Sequence, residues 1–101
     1  MSNARFEWNE AKNLSNLIKH GLSFQTATRA FADPFCLVEQ DRIEDGERRW
    51  QALGLIDQSL LLLVAHMSWE DEEDGSEIEV IRIISARKAN RHERKRYENQ
   101  R

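Results

Sequence analysis

At 101 residues the chain is long enough for one compact domain, taken as 1–101, and too short for two. Its lone cysteine, Cys36, excludes an intrachain disulfide or a cysteine-based metal site, and no run of eighteen apolar residues offers a membrane span. The net charge of −3 hides a division, because residues 82–101 carry eight Lys/Arg against two Glu (+6) while residues 1–81 carry seven Lys/Arg against sixteen Asp/Glu (−9). Such asymmetry points to a polyanion, to an acidic partner protein, or simply to a solvated helix face. The N-terminus lacks a signal-peptide apolar segment, so the chain reads as cytoplasmic with no membrane partner.

In chain order, Met1–Ala4 reads as a disordered lead and Arg5–Trp8 as a short edge strand. Asn9 is a helix N-cap with Glu10 in the first turn, and Gly21 is the left-handed residue that ends this helix. Ala11, Leu14, Leu17 and Ile18 form an apolar stripe at helical spacing, with Lys12, Asn16, Lys19 and His20 beside or opposite it. Ser23 caps a second helix whose buried side is Phe24, Ala27, Ala30 and Phe31, and which stops at Asp33–Pro34. The two helices predict a hairpin lying on one face of a sheet.

Strands follow at Phe35–Glu39, Arg48–Ile56 and Leu60–Met67, with turn signals at Asp45–Gly46 and 57–59. Residues 70–75 read as an acidic loop leading into the central strand around Val80–Ser85. After Ala89, Asn90 and Glu93 form a capping box that opens a basic helix, whose one large non-polar group is Tyr97. The order specifies an α+β fold: a small, mostly antiparallel sheet with an N-terminal helical hairpin on one face and a C-terminal basic helix.

Arg82 interrupts the apolar strand, and a guanidinium directed at a packed face needs an anionic partner. Arg48, Arg82, Arg87, Lys88, Arg91 and Arg94, with Lys12 on the first helix, form the cationic set. RNA cleavage without a metal needs a base for the 2′-hydroxyl, a cationic clamp on the phosphorane and an acid for the leaving oxygen. Glu47 serves as that base or as the counter-ion of Arg82. The grip on a polyanion requires these guanidinium groups to share an open surface rather than to be scattered, each neutralised by an acid. Trp50, Trp69 and Tyr97 are stacking candidates, worth about 1–3 kcal/mol per base, although Trp50 reads as core and Trp69 as rim. No two histidines stand at ligand spacing, so no metal is expected. His20 is accounted for by the helix dipole, while His66 reads as a core histidine and an outside candidate for proton transfer. No glycine-rich phosphate loop is present, and no cofactor is expected.

Three ordered segments carry a resemblance. Phe6-Glu7-Trp8-Asn9, Lys12, Asn16, His20-Gly21 and Ser23-Phe24 come first, then Gly46-Glu47-Arg48, then Arg82-Ile83-Ile84-Ser85-Ala86-Arg87-Lys88-Ala89. Together, from Phe6 to Tyr97, they resemble the BrnT family, toxins of type II toxin–antitoxin systems. The resemblance implies a RelE-like fold and RNA cleavage that inhibits translation. It also implies neutralisation by a BrnA-type antitoxin, with operator DNA reached only through that antitoxin. The sequence does not give the oligomeric state, and a homodimer and a hetero-tetramer with the antitoxin are both open. By motif match it implicates Lys12, His20, Glu47, Arg48, Arg82, Arg87 and Lys88 in function without dividing chemistry from fold. On the charge pattern, Glu47, Arg48, Arg82, Arg87 and Lys88 are the catalytic candidates and Lys12, His20, Arg91, Arg94 and Tyr97 the RNA-binding ones. The acidic run at 70–74 departs from the family pattern. The competing reading is a non-catalytic interaction module that binds an antitoxin or DNA-binding partner and acts in operon autoregulation.

Overall fold

A computed structural model describes residues 4–100. The disordered lead expected at Met1–Ala4 lies outside the described residues except for Ala4, which opens the first strand, and Arg101 also lies outside them. The elements are β1 (Ala4–Trp8), α1 (Glu10–His20), α2 (Phe24–Ala27) running into a 3-10 segment (Thr28–Ala32), β2 (Leu37–Glu44), β3 (Glu47–Ile56), β4 (Leu60–Glu73), β5 (Ser76–Lys88) and α3 (Arg91–Asn99). The strands form one sheet in the order β1-β5-β4-β3-β2. Three pairings are antiparallel hairpins, and β1 joins β5 in parallel. In place of two regular helices forming a hairpin, one helix is followed by a four-residue helix that tightens into 3-10. A 3-10 turn stacks residues three apart, so Ala27 and Ala30 present small side chains together. Beneath them Gly54 lets the segment sit directly on β3.

Each sheet face has its own core. On the first, Phe24, Ala27 and Ala30 pack against Ala52, Ile56, Leu62, Val64, Ile81, Ile83 and Ala86. On the second, Tyr97 of α3 packs on Leu53, Leu61 and Leu63. Asn90 and Glu93 form the expected capping box, and Asn9 and Gly21 cap α1 as expected.

Besides the helical hairpin, and besides β2, which runs Leu37–Glu44 instead of the expected Phe35–Glu39, the sequence reading fails at three further places in the fold for physical reasons. First, the α1 stripe faces outward, with Leu14, Leu17 and Ile18 exposed by 53, 44 and 87 %. The helix is instead held by amides. Asn16, 6 % exposed, donates to the carbonyls of Leu22 and Ala86 (both 2.9 Å) and accepts from the Ala86 N–H (3.1 Å). Asn13 accepts from the Phe24 N–H. Asn16 thus completes the backbone ladder of β5 at Ala86, beyond the last residue that β1 pairs.

Second, the acidic loop is a hairpin. β4 and β5 pair out to Glu73 and Ser76, beyond the point where β3 leaves β4. Glu70 then opposes Glu79 and Glu72 opposes Glu77, an unfavourable arrangement for like charges. A tight turn offsets it, with Asp74 and Gly75 both at positive φ, and Arg5 contributes ion pairs to Asp71 and Glu73. Third, a bulge between Ala65 and His66 disturbs β5 around Ile84, which is half-buried there and not in the core.

Candidate functional site

Residues paired in register share a face, so the side chains that cross the sheet can be followed strand by strand. On the face that carries α3, Glu7 of β1 stands beside Arg82 of β5, which stands beside Met67 of β4. Arg49 of β3 alternates with Leu53 and joins the same face, two strands from Arg82, or roughly 10 Å between backbones. The next row reads Ser85, Ala65, Gln51, Glu39. Beyond it Arg87 and Leu63 meet α3, and in the opposite direction Val80 neighbours the exposed Trp69. The part of this face that α3 leaves uncovered is therefore lined by Arg82, Arg49, Glu7 and Trp69.

Arg82 donates from Nη1 to a Glu7 carboxylate oxygen at 2.8 Å, with both side chains about one-third exposed. The counter-ion of Arg82 is thus Glu7, not Glu47. Arg49 is half-buried, and its Nε has no hydrogen-bond partner among the described residues. Arg87 is committed differently. It forms a two-pronged pair with Glu93, both contacts 2.8 Å, and donates to the Lys88 carbonyl. The hydrogen bonds of this pair hold the Glu93 carboxyl below its ordinary range and raise the Arg87 guanidinium, because each stabilises the other's charged form. Arg87 therefore fastens α3 to the sheet end, and Arg96 adds a contact to Glu39 (3.1 Å).

The remaining candidates separate. Lys88 pairs with Leu62, so it points to the face opposite Arg87. Arg48 also faces that side, over the Trp50 ring at 6.0 Å. Glu47 lies exposed at the hairpin turn, on the rim of the α3 face. Arg91 is exposed and Arg94 half-buried on α3. Tyr97 is 3 % exposed and its hydroxyl donates to Asp33, so its ring offers no face to a base, and it leaves the RNA-contacting set. Lys12 and His20 do come together: with Ser15, Asn16 and Lys19 they face Ile84 and Ser85 across a cleft of about 190 Å³. The guanidinium groups of Arg82 and Arg87 thus share one surface, yet each is matched to a carboxylate.

Sequence reasoning passed over Glu7 and Arg49. The signal for both was strand parity, since each alternates with residues of the core. Cys36 carries no chemistry here. Burial, with the Asp33 carboxylate as the lesser cause, pushes its thiol up to about 11, so it stays protonated at neutral pH. Among the described residues no group of three or more His, Cys, Asp or Glu is arranged to hold a metal, and no helix is long and apolar enough to cross a membrane.

His66 is buried against Phe31, ring centroids 5.0 Å apart, on the face away from Arg82. Burial lowers its imidazole below the ordinary value, only partly opposed by the Val64 carbonyl and Glu79. The unfolded chain therefore binds this proton more readily than the folded one. The contribution is intact above about pH 6.5, and stability declines as the pH falls from there toward the depressed folded value. Melting temperatures measured from pH 7.5 down to pH 5 should fall more steeply for the parent than for His66→Gln. Equal slopes would assign the acid sensitivity to other groups.

The chain falls in a class, the ribonuclease toxins of type II toxin–antitoxin systems. The model of the family described as "Ribonuclease toxin, BrnT, of type II toxin-antitoxin system" matches residues 8–93, and the chain belongs to that family. The crystal structure of the Brucella abortus ribonuclease toxin BrnT is similar at a TM-score of 0.61 and 21 % identity, over 89 % of this chain and 100 % of that one. At that identity the likeness concerns the fold. No curated protein matches the chain.

Proposed function

We propose that this chain is a metal-independent endoribonuclease toxin that inhibits translation. A BrnA-type antitoxin neutralises it and links the complex to operator DNA. The observation that carries the reading is the Arg82–Glu7 pair on the uncovered part of the α3 face. Only Nη1 of Arg82 is engaged, which leaves donors free to meet phosphate oxygens. In this mechanism Glu7 takes the proton of a ribose 2′-hydroxyl as that oxygen bonds to phosphorus. Arg82 and Arg49 stabilise the charge gathering on the phosphorane. The P–O5′ bond then breaks, leaving a 2′,3′-cyclic phosphate and a 5′-oxygen that takes a proton from water. Trp69 offers a stacking surface, while Lys12, Lys19 and His20 on the α1 side and Arg91 and Arg94 on α3 attract flanking phosphates.

Arg82→Ala and Glu7→Gln should each lower cleavage of a purified RNA in EDTA by about 100-fold or more, with melting curves close to the parent's. Both side chains are partly exposed, so folding should persist. Undiminished cleavage by both folded variants would remove the pair from the chemistry. A parent that binds its antitoxin but cuts no RNA would favour the interaction-module reading.

A further inference from the structure

α1 is an amphipathic helix mounted with its polar side inward. Asn13 and Asn16 make its attachments, whereas Leu14, Leu17 and Ile18 form an outward ridge at helical spacing. Nothing in the fold requires aliphatic residues there, and an exposed apolar ridge of this kind marks a surface that another protein covers. The helix also fixes the charge beside the ridge. Lys12 and Lys19 lie seven residues apart, hence on one flank, with Ser15 between them, and the three line the cleft shared with Ser85.

We infer that the ridge Leu14–Leu17–Ile18 receives an amphipathic helix with an aliphatic face and acidic side chains along one flank, supplied by the antitoxin. The inference rests on the toxin reading. Acidic side chains placed against Lys12 and Lys19 complement that flank, and they enter the cleft where RNA phosphate would otherwise lie. A second copy of the chain fits less well. Packed antiparallel on the ridge, it would set the Lys12–Lys19 flank against the same flank of its partner, and like charges there oppose association. The docked helix would neutralise the toxin by occupying the phosphate approach from α1, without touching Arg82.

The test uses the full chain and the antitoxin encoded beside it. Leu14→Ser with Ile18→Ser, neutral changes at exposed positions outside the proposed chemistry, should raise the antitoxin Kd about tenfold or more while RNA cleavage by the free toxin is unchanged. Ile18→Leu should bind as the parent does. Raising the salt concentration should weaken the parent complex, as expected for an acidic flank on lysines. Unchanged antitoxin affinity in the double variant overturns the inference, as does a parent that binds no such protein. A parent that self-associates through this ridge, becoming monomeric in the double variant with antitoxin affinity intact, also overturns it and assigns the ridge to a second copy. Absence of cleavage by the parent would count against the ribonuclease reading alone, because binding is measured separately.

Discussion

Asn16→Leu should lower the melting temperature by about 10–20 °C, although it places a larger apolar side chain at a buried helix position. The substitution strips partners from three backbone groups at once: the Ala86 N–H, the Ala86 carbonyl and the Leu22 carbonyl. Each buried backbone group left unbonded costs about 1–3 kcal/mol, so the total is on the order of 3 kcal/mol or more. In a domain of this size that corresponds to a shift of this order in thermal unfolding. Two turns of reasoning from hydrophobicity alone would predict the reverse, and the contrast supplies a control. Ile18→Asp, at an 87 % exposed position, should change the melting temperature little. Calorimetry on the two variants side by side decides the matter, and a stable Asn16→Leu would mean that α1 is held by something other than its amides.

Gly54→Ala should be at least as damaging. A β-carbon at this position would lie 2.1 Å from the Ala30 carbonyl oxygen and 2.7 Å from both the Ala30 carbonyl carbon and its methyl group. Two of these atoms are backbone, so relief requires the 3-10 segment to lift off β3, with Phe24 and Ala27 in the same packed layer. Overpacking that side-chain adjustment can absorb costs about 1–3 kcal/mol, and displacement of backbone should exceed the upper figure. Ala30→Gly should not rescue the variant, because the carbonyl contact survives removal of the methyl. Chemical denaturation of the single and double variants is the measurement. A Gly54→Ala protein of parental stability would contradict the close approach of the two elements.

What was legible in the sequence followed from local chemistry. Asn9, Gly21, Asn90 and Glu93 each act through atoms within a few residues, and their caps form as expected. The strand sequence of Leu60–Met67 required burial on both faces and has it at Leu61, Leu62, Leu63 and Val64. The orientation of α1 was illegible because its decisive partner, Ala86, lies seventy residues away and contributes only backbone. The Asp74–Gly75 turn carried the same signal as Asp45–Gly46, but the surrounding acids suggested solvent instead of pairing. For the site, Arg82 was marked correctly as needing an anion. Its partner Glu7 is seventy-five residues distant, and only the parallel register of β1 on β5 brings the two together. Tyr97 was misjudged because a polar helix conceals how a single ring can anchor it.

That anchoring has a consequence for the order in which the molecule comes apart. The layer beneath α3 is small, built on Leu53, Leu61, Leu63 and Tyr97, and the sheet separates it from the larger cluster on the other side. Of its remaining ties, Arg87 to Glu93 and Arg96 to Glu39 both depend on an ionised carboxylate, while the Tyr97 hydroxyl donates to Asp33. Acidification below the ordinary carboxylate range should therefore release the last helix before the strands, and amide exchange would record it as early loss of protection from residue 91 onward while Leu62 and Val64 remain closed.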